Sequence, residues 1–124
     1  MTFAWLGALN AFIAVAAGAF GAHGLKSRVS ADMLAVFETG ARYHMYHSLA
    51  LFAVAWLATR SGAGASSLRL AAYGGWSFQL GIVLFSGSLY ALALSGVRSL
   101  GMVTPLGGLA FLAGWLLVAI SASR

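Results

Sequence analysis

Cysteine is absent from this chain, so disulfides and thiolate metal sites are excluded. Charge is nearly as scarce, at 7% of residues, where soluble domains carry about 25%. So few charges cannot coat a soluble globule of 124 residues, and lipid must cover much of the surface. Only two residues are acidic, Asp32 and Glu38, and neither lies within a long apolar run. The chain therefore lacks the buried acid that proton- or cation-coupled transporters usually need. The basic residues form no cluster and no aromatic-basic surface, which argues against a nucleic-acid partner. No nucleophile–base arrangement and no phosphate loop is visible, so no enzyme activity is expected, and no cofactor. Gly is abundant without a Gly-X-Y period, which excludes collagen.

What the chain has is apolar length. A spanning helix needs about 20 mainly apolar residues. Four runs qualify, giving expected spans over about 3–24, 43–60, 69–94 and 102–121. The first lacks the positively charged start of a secretory signal, so a retained span is expected there. The short segments RSGAGASSLR (60–69) and SGVRSLG (95–101) are rich in Gly and Ser, as turns between antiparallel helices should be. The segment before the second span is different. Ser30 suits an N-cap, Asp32 suits the first turn, and Glu38 and Arg42 stand at i and i+4. It reads either as an amphipathic helix over about 30–42 at the membrane surface or as an extension of the second span above it. Thr104 is the expected cap of the fourth span, with Pro105 at its first position. The expected fold is an all-α, integral membrane four-helix bundle, in one domain over 1–124, with a short amphipathic helix between the first two spans.

Four alternating spans place Trp5, Trp56, Trp76 and Trp115 toward the side carrying both termini, as half of an aromatic belt. Lys and Arg are divided three against four between the two sides, so they do not orient the protein. All three histidines are expected on the side away from the termini. His44 and His47 share a helical face, and His23 meets them if the first two helices pack together. Three imidazoles open a metal or haem reading; hydrogen bonding to backbone, water or headgroups is the alternative. A small polar pocket is expected on the same side, formed by His23, Glu38, Arg42, Tyr43, His47, Ser86, Ser88, Tyr90 and Thr104. The competing reading has those hydroxyls bonded to backbone carbonyls while Ser and Gly allow close packing. Small residues recur at helical spacing in Ala14/Gly18/Ala22, Gly87/Ala91/Ser95 and Gly74/Ser77/Gly81, as helix-contact faces do. Asn10 and Gln79 are placed to form an interhelical hydrogen bond.

Four segments carry a resemblance: GAFGAHGL (18–25), FETGARYHMYHSLAL (37–51), LFSGSLYALAL (84–94) and TPLGGLAFLAGW (104–115). In order and spacing they resemble the small membrane proteins of domain-of-unknown-function family 423, also called the transmembrane protein 256 family. Members of that family often carry Gln where this chain has His44, whereas His23 and His47 match. The resemblance therefore argues against a three-histidine metal site as a family feature. It implies a multi-span protein of a bacterial or mitochondrial inner membrane, with cytoplasmic termini, and brings no established activity. The expected function is a non-enzymatic accessory protein, or a bundle binding lipid or a small ligand. Its expected partners are membrane lipids and either further copies of itself or a larger membrane complex. A small-solute transporter or channel, and a histidine-based metal or haem protein, are the alternatives.

Overall fold

A computed structural model describes residues 1–124, and every regular element in it is helical. Helix α1 (Thr2–Phe20) continues through a π-helical stretch, Gly21–Leu25. Helix α2 spans Ala31–Leu57. Helices α3 (Ala65–Gly81) and α4 (Gly87–Ser95) are joined through a second π-helical stretch, Ile82–Ser86. A 3-10 turn, Arg98–Met102, leads into α5 (Thr104–Ala122). The result is four long rods. Three of them, Thr2–Leu25, Ala65–Ser95 and Arg98–Ala122, are long and apolar enough to cross a membrane. The shortest of the three has 24 residues, or about 36 Å at 1.5 Å per residue, which exceeds a hydrocarbon core of about 30 Å.

Helix α2 is an unbroken helix of 27 residues, so the segment over 30–42 and the expected second span are one element. Ser30 caps it as its residue type foretold, accepting a hydrogen bond from the Met33 N–H at 3.2 Å. Nothing interrupts it at residue 43, because the stretch Phe37–Leu51 holds no proline and keeps one helical phase. Its outer face changes character along its length. Asp32, Glu38 and Arg42 are exposed in the first half, and Tyr46, Leu49, Phe52 and Trp56 in the second.

The turns are made by local chemistry. Gly96 ends α4 with φ +73, and its N–H bonds the Leu92 carbonyl, the left-handed stop that glycine adopts without a steric cost. Gly62 takes φ +80 in the turn between α2 and α3. Thr104 does not cap α5: it is the first residue of that helix, Val103 precedes it, and its hydroxyl reaches Ser88 instead.

Helix α2 lies at the centre. Helix α1 packs along it, α5 packs along α3, and α2 touches every other helix. The main core joins Ala50, Leu51 and Val54 of α2 to Phe78, Ile82 and Phe111. A smaller core, Leu25, Phe37 and Ala93, ties the end of α1 to the start of α2 and to α4. Glycine lets α3 and α5 close on each other. A Cβ on Gly74 would lie 3.2 Å from the Gly114 carbonyl oxygen, and one on Gly114 equally close to that of Gly74. The expected small-residue face Gly74/Ser77/Gly81 thus packs in part, through Gly74 and Gly81. The face Ala14/Gly18/Ala22 packs only at Ala14; Gly18 has open space beside it and Ala22 is exposed. Gly7, Asn10 and Ala14 are what α1 buries.

Only 30 of 124 residues are buried, and the outside carries Phe12, Leu49, Leu109, Leu112 and Leu116 among other large apolar side chains. An apolar surface of this extent is incompatible with bare water and fits a lipid-facing bundle.

Candidate functional site

The polar side chains in the middle of the bundle come from four different helices. His44 sits on the thirteenth residue after the start of α2, near its midpoint. Its Nε2 lies 3.0 Å from Asn10 Oδ1 of α1, and its Nδ1 lies 3.0 Å from the Tyr90 hydroxyl of α4. Asn10 donates through Nδ2 to Gln79 Oε1 of α3 at 2.9 Å and to the Leu6 carbonyl at 2.8 Å. The directions follow from chemistry. Asn10 uses both amide hydrogens as donors, so its Oδ1 accepts from His44 Nε2–H, and Nδ1 is left to accept from the Tyr90 O–H. A neutral imidazole meets both requirements. The line Tyr90–His44–Asn10–Gln79 thus links α4, α2, α1 and α3 in a place where unpaired polar groups would be costly. The anticipated pair of Asn10 and Gln79 is present; the roles of His44 and Tyr90 as its continuation were not anticipated. The missed signal was helical phase, since His44 and Ser48 lie one turn apart on the buried face of α2 and Ser48 donates to the His44 carbonyl at 2.6 Å.

His47 is also buried, and it belongs to a different cluster. Its Nδ1–H donates to the Tyr43 carbonyl at 2.7 Å, and its Nε2 accepts from Trp115 Nε1–H at 3.2 Å. Its ring stacks on Phe111 with centroids 3.4 Å apart and planes 3° from parallel. Tyr43 packs on Phe85 at 4.8 Å and on Tyr46 at 5.7 Å. Together these rings line a groove of about 640 Å³ between α2 and α5, bordered on the α5 side by Pro105, Gly108, Leu109 and Leu112. The groove runs from the start of α5 to Trp115, past its middle, where the half-exposed Trp115 donates its indole N–H to His47.

The residues expected to form one polar pocket are therefore dispersed. Tyr43 and His47 line the groove. Tyr90 belongs to the buried line with His44. Ser86 is buried and donates to the Gly40 carbonyl at 2.7 Å, tying the π-helical stretch to α2. Ser88 donates to the Phe85 carbonyl at 2.9 Å, which leaves its oxygen to accept from the Thr104 hydroxyl at 2.6 Å. Glu38 and Arg42 project outward from α2, and His23 is exposed on the π-helical stretch after α1. Two of the three histidines, His44 and His47, are thus buried among the helices and bonded to protein groups, because they fall on the inward face of α2. No three metal-ligating side chains come together, and His23 is not grouped with the other two. For this reason the structure does not assemble the three-histidine metal site considered from sequence.

At the end carrying the termini, Ser67 and Ser121 bond reciprocally. Each hydroxyl lies 2.9 Å from the other's backbone carbonyl, and Arg60 reaches the Ala122 carbonyl at 3.2 Å. These contacts join α3 and the turn before it to α5 and lie apart from the groove.

Comparison with known proteins gives the same family as the sequence motifs. No solved structure matches the chain. The UPF0382 membrane protein YwdK of Bacillus subtilis is 49% identical over 120 residues, covering 96% of this chain and 94% of YwdK. The UPF0382 membrane protein SSP2132 of Staphylococcus saprophyticus is 48% identical over 115 residues, covering 93% of this chain and 91% of its own length. The UPF0382 membrane protein SERP0230 of Staphylococcus epidermidis is 46% identical over 116 residues, covering 94% and 90%. The model of a protein family of unknown function, DUF423, matches residues 17–108, a stretch that contains His23, the whole of α2, both π-helical stretches and the start of α5, and the chain belongs to that family.

Proposed function

We propose that this protein is a non-enzymatic, four-span bundle of the bacterial inner membrane that holds an amphiphilic ligand in the groove between α2 and α5. It works as an oligomer or as an accessory subunit of a larger membrane complex, with its termini in the cytoplasm. The groove is the observation that carries this reading. Its volume of about 640 Å³ lies within the range typical of small-molecule sites, roughly 300–1,000 Å³. It opens on the flank of the bundle, where Tyr46, Leu109 and Leu112 are exposed, so a ligand would enter from the bilayer.

The outer face of α2 supports its being the fourth span. Past Arg42 that face is apolar through Tyr46, Leu49, Phe52 and Trp56, as a lipid-facing surface should be. The polar first half would stand at or above the headgroups. A solute pathway has less support, because the polar side chains at the centre are hydrogen-bonded to one another and hold helices together.

Native mass spectrometry after purification in mild detergent tests the proposal. Bound lipid-like mass, with more than one copy or a partner subunit, is the expected result. A strict monomer with nothing bound overturns it. The substitution Gly108→Leu sharpens the measurement. Gly108 lines the groove, and a Cβ there meets only Phe85 Cδ2 at 4.0 Å, so a larger side chain would fill the groove without disturbing the core. The variant should fold, and lose the bound mass.

A further inference from the structure

We infer that the groove between α2 and α5 takes a lipid-soluble compound with a planar, carbonyl-bearing ring, the chemistry of a quinone; this rests on the groove being a ligand site. Three features of the groove select that chemistry. The first is its lining. Tyr43, Tyr46, His47, Phe85, Phe111 and Trp115 all present rings to it, whereas a site for an acyl chain needs only aliphatic walls. Aromatic pairs in offset or edge contact add about 0.5–1.5 kcal/mol beyond the area they bury. A flat ring gains this from several walls at once, and a flexible acyl chain does not.

The second feature is hydrogen bonding. The polar atoms of His47 and the indole N–H of Trp115 are already paired within the protein. Carbonyls of Phe85 and Tyr43 are likewise engaged, by Ser88 and His47. The phenol groups of Tyr43 and Tyr46 remain, with no partner in the chain, and their side chains are 38% and 52% exposed. They stand on adjacent turns of α2 with ring centroids 5.7 Å apart. Left unpaired by the protein, these two donors favour a ligand that brings acceptor oxygens on an apolar body. A ring carbonyl is such an acceptor, and it needs no counter-charge. The third feature is the absence of charge from the lining: no Lys, Arg, Asp or Glu faces the groove, which disfavours a phosphate or carboxylate headgroup there.

The slot is also pre-formed. Phe111 is held between the His47 ring and the backbone at Gly81, where a Cβ would collide with it, so the floor of the groove is fixed before a ligand arrives.

The test uses the full chain in detergent micelles, with decyl-substituted benzoquinone as the probe and Trp fluorescence as the readout. Trp115 lines the groove, so quenching should be saturable, and Trp115→Phe should remove most of the quenched signal. Gly108→Leu should weaken binding at least about tenfold. Tyr43→Phe and Tyr46→Phe should each weaken it by about two- to tenfold, the worth of one net hydrogen bond. Far-UV circular dichroism and elution volume identify any variant that has not folded. In that case Leu112→Trp, on the open side of the groove, replaces Gly108→Leu.

Two results would overturn the inference in different ways. If a phospholipid or fatty acid binds, its binding is lost in Gly108→Leu, and the benzoquinone does not bind, the ligand chemistry is wrong and the groove remains a ligand site. If neither class binds and no mass is retained on purification, both readings fail. Quenching that is unchanged by Gly108→Leu and by both tyrosine substitutions would show partitioning into the micelle only, and would also overturn the inference.

Discussion

His44 and His47 stand three residues apart on one helix, and their surroundings give them different work. His44 accepts from Tyr90 and donates to Asn10, so it is the link through which α4, α2 and α1 are joined. Removing it leaves two groups without partners near the middle of the bundle. His44→Leu should therefore lower stability by about 1–3 kcal/mol, the usual penalty for leaving a buried polar group unpaired. Denaturation in sodium dodecyl sulfate followed by circular dichroism would read this. Gln also offers a donor group and an acceptor on a side chain of similar reach, so His44→Gln should cost less than half as much. A loss as large as that of His44→Leu would show that the ring shape, not the hydrogen bonding, matters at this position. His47 is fixed on both nitrogens and on one face, by Tyr43, Trp115 and Phe111. It shapes the floor of the groove.

Among the elements, α5 meets the π-helical stretch backbone to backbone, at Gly107 and Phe85. A Cβ on Gly107 would collide with the backbone N and Cα of Phe85, which have no rotamer to escape into. Gly107→Ala should cost about 1–3 kcal/mol as an overpacked contact. Gly18→Ala, where nothing lies within 4 Å, should be neutral within about 0.5 kcal/mol. Both glycines occur in small-residue runs, and the sequence does not tell them apart. Whether a small residue is required depends on which neighbour faces it, and that is set by helix phase and crossing angle. The same measurement distinguishes a cap. Gly96→Ala, forced to keep φ +73, should cost about 1 kcal/mol. The cap at Ser30 was legible from residue type because an N-cap hydrogen bond closes within four residues. The role expected of Thr104 failed for the converse reason: a tertiary partner, Ser88, competes for its hydroxyl.

Over the whole molecule the open question is how α2 sits relative to the bilayer. Because the chain has no cysteine, a single introduced Cys reports its own position without background. Cys in place of Ser27, before α2, and of Ser61, after it, should label from opposite sides of right-side-out vesicles with a membrane-impermeant maleimide. Arg98→Cys should label with Ser27→Cys, and Ser123→Cys with Ser61→Cys. Labelling of positions 27 and 61 from the same side would mean that α2 lies along the surface and the bundle crosses with three helices only. The broad apolar exterior leads to one further expectation: the protein should need detergent or lipid throughout purification, and should aggregate when either is withdrawn.

What the sequence determined by itself was everything that depends on composition or on neighbours a few residues apart. It established an all-helical membrane chain, its turns near residues 60 and 96, the cap at Ser30 and the family that its motifs resemble. The pairing of Asn10 with Gln79 was also within reach, since two amides in apolar runs have few other partners. Only the tertiary structure decided that α2 is one continuous helix at the centre. It alone joined His44 and Tyr90 to that pair, and it alone separated Tyr43 and His47 from the other polar residues by placing them along a groove. The physical reason is that these arrangements join residues up to 68 positions apart. Each helix rotates by about 100° per residue, so a small difference in where a helix begins moves a side chain from the rim to the core.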